Sequence, residues 1–175
     1  NNVKPTEPIA EPVEIKEYYI SHLFFDANVD ILTPQNNKKL DQLANLLLIY
    51  PKITAELSCF ELPTGQKTFN LYFSIKKTEK AAEYLAGKGI PRSRLLLKGY
   101  GSSFPLVAKP VSNNISPLYQ KLNQRLEIAL HDYESEPVII DIEGIKVPEN
   151  LQDPKGVKFS TLSNQLFYSV QIASI

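Results

Sequence analysis

Two stretches of this chain show the hydrophobic spacing of an amphipathic helix. In the first stretch, apolar residues recur at i, i+3, i+4 and i+7 and so share one helix face: Leu40, Leu43, Ala44 and Leu47. Thr33 followed by Pro34 is typical of a helix start, and Pro51 ends the pattern. The second stretch, 68–89, carries alanines and a leucine on its later turns and ends at two glycines. The pattern therefore predicts two helices.

Four other stretches are predicted to be strands. The clearest is 52–60, in which Ala55, Leu57 and Cys59 alternate with polar residues, as in a half-buried strand. The remaining three are 18–26, 93–101 and 123–131, all rich in aromatic, β-branched or aliphatic residues. The order of these elements predicts an α/β sandwich of the βαβαββ kind, an α+β arrangement with two helices packed on one mixed sheet.

Both ends of the chain differ from this central region in composition. Residues 1–17 interleave three prolines with glutamates, and proline at this density disfavours both helices and sheet ladders. We therefore expect an extended linker or arm there. Residues 132–175 are predicted to be an extended tail with strand segments at 137–142 and 166–175. The predicted domain is the remaining segment, 18–131.

Composition and charge exclude several classes of function. Lys and Arg (19) balance Asp and Glu (19), so no net positive field attracts nucleic acid. No run of about 18 apolar residues is present, so we expect no membrane span. Cys59, His22 and His131 show no metal-ligand spacing, and the motifs of nucleophilic and phosphate-binding catalysis are missing. We therefore expect a protein that is not an enzyme and uses no metal or cofactor.

An ordered series of short motifs carries a family resemblance. It includes "FFD" in the first strand, "LDQLANLLLIYP" in the first helix, "SIKKTEKAAEYLAGKGIPRSRLLLKGYGSSFP" and, in the last strand, "NQRLEI", where the family has "NRRVEI". Residues 18–131 thereby resemble the OmpA C-terminal-like domain of OmpA, peptidoglycan-associated lipoproteins and flagellar stator proteins. The resemblance implies a periplasmic domain that holds peptidoglycan, associated with the outer membrane of a diderm bacterium and with other envelope proteins.

The resemblance also implies where a ligand site would lie. In relatives, the loop "GHTDxxG" follows the second strand, and its Asp meets the ammonium group of meso-diaminopimelate in the peptidoglycan stem peptide. The second Arg of a helix pair grips the carboxylate of the same residue. Counted back from Gly65, the last two letters of "GHTD" fall on Glu61 and Leu62, and the second Arg falls on Lys77. Because a leucine replaces the anion, we expect a degenerate site.

Other polar residues match the family pattern less specifically. Asn70 stands where relatives frame the binding loop, and Arg125 stands where they have an arginine before the last strand. Lys76, Lys77 and Lys80 could form a basic patch for an anion. Three lysines in the first half of a helix more often form its solvated face, and that is the arrangement we expect.

Two functions remain open at this point. The first is a structural component of an envelope assembly that keeps the fold but not the ligand chemistry. The alternative is a functional peptidoglycan anchor that uses Glu61 and Lys77 in an altered site. The stretch "LFYSVQIAS" (166–174) also resembles the first strand of a SPOR domain, which implies a further envelope module beyond this segment.

Overall fold

A computed structural model describes residues 14–25, 31–63, 65–107 and 116–151. The strands and helices follow the chain in the order β1 (Lys16–Ile20), β2 (Leu23–Phe24), α1 (Pro34–Ile49), β3 (Thr54–Phe60), α2 (Lys67–Gly87), β4 (Leu95–Gly101), α3 (Pro117–Asn123), β5 (Arg125–His131) and β6 (Val138–Ile142). Short 3-10 turns lie at Arg92–Arg94 and Glu149–Leu151.

A four-stranded mixed sheet forms the centre of the fold. Its order is β2-β5-β3-β4, in which β3 runs parallel to β4 and antiparallel to β5. The side chains of Ala55, Leu57 and Cys59 on β3 are buried and pack in one core with the apolar faces of α1 and α2. The alternation in 52–60 therefore marks the core face as predicted. The predicted α+β sandwich with a mixed sheet is confirmed.

The number of helices differs from the sequence-based prediction. A third helix, α3, lies almost entirely between the predicted strands 93–101 and 123–131, where we predicted no helix. Ser116 caps it, since its Oγ accepts a hydrogen bond from the backbone N–H of Tyr119 at 3.1 Å, and Pro117 stands at its first position. The Ser-Pro start signal repeats the Thr-Pro signal of α1. Because α3 has only seven residues, it carries too little periodicity to stand out.

The predicted first strand, 18–26, is divided between two sheets. Its first part belongs to β1, which pairs in parallel with β6 as a separate two-stranded sheet. Its second part contains β2, which pairs with β5. Strand β1 begins at Lys16, inside the predicted arm, and β6 lies inside the predicted tail. The predicted strand at 166–175, with its SPOR-like motif, lies outside the described residues.

Two glycines of β4 let α2 lie directly on the sheet. A Cβ atom at Gly99 would lie 2.5 Å from Cγ1 of Ile75, and one at Gly101 would lie 2.8 Å from the backbone nitrogen of Leu71. The backbone N–H of Gly101 donates a hydrogen bond to Oγ of Ser74 at 3.0 Å. The "GYG" motif therefore fixes how closely the first half of α2 approaches the end of β4.

Candidate functional site

A buried ion pair joins the end of β3 to the inner face of α2. Nζ of Lys77 lies 2.7 Å from Oε1 of Glu61, and the two side chains are only 3% and 6% exposed. Oε1 accepts no hydrogen bond of good geometry, so charge attraction holds this contact. Nε2 of Gln124 donates a hydrogen bond to the other carboxylate oxygen at 3.3 Å. Nζ of Lys77 also lies 4.8 Å from the centre of the Phe25 ring.

The backbone explains why these two residues meet. Lys77 lies on the buried face of α2 together with Ser74, Thr78 and Ala81. Glu61 directly follows β3, and its backbone N–H donates a hydrogen bond to the carbonyl oxygen of Gly101 at 2.8 Å. The expectation that Lys77 belongs to a solvated lysine face is therefore wrong, because the helix register turns it inward.

The other two lysines of that predicted face lie closer to solvent. Lys76 is partly exposed, and its Nζ lies 2.7 Å from Oε2 of Glu79 on the same helix. Lys80 is also partly exposed. Only Lys77 among the three is in the protein interior and adjacent to the loop that the family resemblance singles out.

Leu62, which the family resemblance puts at the position of the aspartate, is buried in an apolar cluster. Its neighbours in this cluster are Val107, Tyr119 and Leu122. The surroundings thus match the leucine, because they are apolar side chains from α3 and from the segment after β4. Leu62 offers no oxygen to an ammonium group.

Gly65 and Asn70 belong to the turn before α2 and to the first turn of that helix. Gly65 adopts a left-handed backbone conformation, with φ of 67°, in the turn before α2. Asn70 is buried, and its Nδ2 donates a hydrogen bond to Oγ of Ser102 at 3.1 Å. Asn70 thereby ties the start of α2 to the segment after β4.

Arg125 is fully buried and has partners on β5 and β3. Its Nε donates to Oε1 of Glu127 at 2.6 Å, and its guanidinium carbon lies 4.0 Å from the centre of the Phe60 ring. Burial lowers the pKa of Arg125, and Glu127 partly opposes this shift. These contacts describe an arginine that holds the sheet together. The neighbouring Cys59 is also buried, and its burial raises the pKa of the thiol well above the ordinary value.

Sequence reasoning missed two residues around the ion pair, Gln124 and Phe25. Gln124 lies within the "NQRLEI" motif, next to a position that did attract notice. Phe25 belongs to "FFD", which we had used only as a strand marker. Neither carries a local signal of its role, since each reaches Lys77 or Glu61 from a distant part of the chain.

A separate cleft lies between the β1–β6 sheet, α1 and α3. Its volume is about 520 Å³, and Phe24, Lys39, Lys121 and Glu143 are among its lining residues. None of the predicted site residues lines it. Within the described residues, no three or more His, Cys, Asp or Glu side chains are grouped so as to hold a metal ion. No helix in this part of the chain is long and apolar enough to cross a membrane.

Sequence comparison relates the chain to outer membrane proteins. No protein-family model matches the chain. Outer membrane protein A of Yersinia pseudotuberculosis is 31% identical over 140 residues, which cover 75% of this chain and 39% of that protein. Outer membrane porin F of Pseudomonas fluorescens is 23% identical over 123 residues, which cover 70% of this chain and 35% of that protein. The chain thus spans well under half the length of these relatives.

The fold is shared with solved structures of two further proteins. The peptidoglycan-associated lipoprotein from Burkholderia pseudomallei has a TM-score of 0.54 at 19% identity, covering 63% of this chain and 89% of that one. The C-terminal domain of Helicobacter pylori MotB has a TM-score of 0.55 at 18% identity, covering 67% of this chain and 88% of that one. These structures establish the fold, and the outer-membrane relatives confirm the predicted envelope-associated location. The chain carries an OmpA C-terminal-like domain.

Proposed function

We propose that this domain is a non-enzymatic structural component of a periplasmic envelope assembly, in which the family's diaminopimelate site is degenerate. One observation carries the proposal. The ammonium group of Lys77, the cation that would grip a ligand carboxylate, is already paired with Glu61 in the protein interior. The protein's own carboxylate occupies the place that a ligand carboxylate would need.

The energetics disfavour exchange of Glu61 for a ligand. A charge-assisted hydrogen bond contributes about 1.5–3 kcal/mol. Breaking a buried ion pair costs about 3–5 kcal/mol, because an uncompensated charge is left inside the protein. Displacement of Glu61 by a ligand carboxylate would therefore cost more free energy than the new contact with Lys77 contributes. Leu62 adds nothing to offset this, since its side chain cannot accept a hydrogen bond from the ligand's ammonium group.

The matched proteins support a structural role. Their names describe outer membrane proteins, a peptidoglycan-associated lipoprotein and MotB, and none of these names denotes an enzyme. By analogy, the partners of this chain are other envelope proteins. Binding of the peptidoglycan stem peptide belongs to the alternative below.

The alternative is a functional peptidoglycan anchor that uses Glu61 and Lys77. One observation favours it, because Glu61 and Lys77, the two residues that this altered site would use, lie side by side. For this anchor to work, the ion pair must open and offer its two charges separately to the ammonium and carboxylate groups of the stem peptide.

A pull-down on purified sacculi separates the two functions. The wild-type chain is compared with Lys77→Ala, with Glu61→Ala and with a restored variant, Glu61→Thr/Leu62→Asp/Lys77→Arg, which rebuilds the family motif. Lys98→Ala serves as the matched control, since Lys98 also pairs with a glutamate, Glu56, at 2.8 Å but lies on β4. Circular dichroism checks that each variant is folded.

If the site is degenerate, the wild-type chain should stay in the supernatant and the restored variant should gain binding to sacculi. Co-purification of the wild-type chain with a large envelope complex would add support for the structural role. Wild-type binding that is lost in both alanine variants but kept in Lys98→Ala would establish the anchor instead.

A further inference from the structure

The outer face of α2 begins with an exposed apolar surface. Four large apolar side chains of "FNLYF" are open to solvent: Phe69 (58%), Leu71 (42%), Tyr72 (53%) and Phe73 (45%). We call these four residues the aromatic patch. Single exposed apolar residues are normal in soluble proteins, but a contiguous group of this size marks an interaction surface.

The three aromatic members of the patch are neighbours in space. Phe69, Tyr72 and Phe73 stand at i, i+3 and i+4 and so share one face of the helix. The ring centres of Tyr72 and Phe73 are 5.5 Å apart. Nζ of Lys76, one turn further on, lies 5.7 Å from the centre of the Tyr72 ring. The patch is therefore continuous with a positively charged side chain.

Lysines flank the patch along α2. Lys67 precedes it and Lys76 follows it, no Asp or Glu occurs from Lys67 to Thr78, and the next carboxylate, that of Glu79, pairs with Lys76 at 2.7 Å. The first turn of α2 holds no acidic residue, and Gln66 makes no side-chain cap there. The positive end of the helix dipole is thus not compensated locally. The electrostatics favour an occupant that carries negative charge.

We propose that the aromatic patch docks on an anionic phospholipid surface. The patch is the convex outer side of a helix, whose inner side packs on β3 and β4. A convex group of Phe and Leu with flanking lysines suits a deformable lipid interface, in which the apolar groups enter the acyl boundary and the ammonium groups stay among the headgroups. The envelope-associated location puts phospholipid surfaces within reach of this domain.

Neither the Glu61–Lys77 pair nor peptidoglycan enters this inference, because both charges of that pair lie on the inner side of α2. An experiment can therefore disprove docking of the aromatic patch on lipid while the proposed function holds. Disproof of the proposed function likewise leaves the docking proposal intact.

The sequence allows a clean fluorescence test, since it contains no Trp. Phe73→Trp places one reporter in the patch, and Leu48→Trp places a matched reporter on α1, where Leu48 is exposed to a similar degree. Both full-length chains are titrated with vesicles of phosphatidylcholine alone, and with vesicles of equal parts phosphatidylcholine and phosphatidylglycerol. We expect a saturable blue shift only for Phe73→Trp and only with the anionic vesicles.

Flotation of the wild-type chain with the same vesicles measures its affinity for the lipid surface. A lysine close to an anionic surface contributes about 1 kcal/mol, which is roughly fivefold in affinity. We therefore expect Lys67→Gln and Lys76→Gln each to weaken flotation about fivefold, whereas Lys52→Gln, a variant of an exposed lysine before β3, leaves it unchanged.

Three outcomes would overturn the proposal. The first is no blue shift for Phe73→Trp with anionic vesicles. The second is an equal shift for both reporters or for both kinds of vesicle. The third is a shift that grows with protein concentration in the absence of vesicles, which would assign the patch to contact between copies of the chain.

Discussion

The two long helices of this domain distribute their side chains in opposite ways. α1 buries a stripe of leucines and an alanine against the core. The first half of α2 does the reverse. Its buried residues are polar or charged: Asn70, Ser74, Lys77 and Thr78. Its exposed residues include all four of the aromatic patch.

The inversion shows that the two helices are held by different forces. α1 is stabilised by removing apolar surface from water. In the first half of α2, each buried polar group has a defined partner instead. Asn70 bonds Ser102, Ser74 bonds Gly101 and Lys77 pairs with Glu61. Local departures from ordinary patterning tend to occur at functional sites. Both proposals above concern this half of α2, one its inner side and one its outer side.

The second half of α2 returns to the ordinary arrangement, with Ala81, Ala82 and Leu85 buried in the core. The small alanines let this half pack closely against its neighbours. The inversion is therefore confined to the turns next to the β3–α2 loop, and it is not a property of the whole helix.

The largest expected effect on stability comes from breaking the buried pair of Lys77 on α2 with Glu61. Lys77→Met should lower the free energy of unfolding by about 3–5 kcal/mol, because Glu61 would be left buried without its counter-ion. The double variant Glu61→Met/Lys77→Met should recover most of this loss, because two apolar side chains replace the pair. Urea unfolding of the single and double variants measures both values. A single variant as stable as the wild type would contradict the view that charge pairing holds this part of α2.

The counterpart in α1 is a loss of apolar packing. Leu43→Ala should cost about 2–5 kcal/mol, because Leu43 is fully buried and its truncation leaves a cavity. The same unfolding measurement applies. Leu48→Ala, on the exposed side of the same helix, is the control and should stay within about 0.5 kcal/mol of the wild type.

A smaller effect should appear as a dependence of stability on pH. Burial lowers the pKa of His22 below 6.5, although Glu127 and Glu143 partly oppose the shift, and Nδ1 accepts a hydrogen bond from the backbone N–H of Ile128. The unfolded chain therefore binds a proton at His22 more readily than the folded chain does. The stability that neutral His22 contributes is present above about pH 6.5 and is lost as the pH falls from there toward the lowered pKa.

Unfolding curves at a series of pH values check this prediction. The slope between neutral and mildly acidic pH should be smaller in His22→Gln than in the wild type. An unchanged slope in His22→Gln would mean that His22 gains no stability from its neutral form.

The smallest expected effect on stability comes from a substitution on the exposed side of α2. Phe73→Ala should change the free energy of unfolding by no more than about 0.5 kcal/mol, since the ring lies at the surface. Thermal and urea unfolding measure this change. A loss comparable with that of Leu43→Ala would show that Phe73 belongs to the core of the folded domain, and the contrast between the two helices would then disappear.

The sequence by itself determined the features that depend on local spacing. The i, i+4 pattern ending at Leu47 predicted α1, and the alternation through Cys59 predicted β3, because helices and strands impose their own periods on neighbouring residues. The motif series in 18–131 predicted the OmpA-like fold. It also placed Leu62 and Lys77 at the family's two ligand positions.

Only the tertiary structure decided which of these residues meet. Glu61 and Lys77 are separated along the chain, and their pairing depends on how closely α2 lies on the glycines of β4. The pairing of β1 with β6 joins segments from opposite ends of the described chain. Such contacts depend on the three-dimensional path of the backbone, and no local period encodes that path. For that reason the sequence predicted a lysine in solvent where the fold holds a buried ion pair.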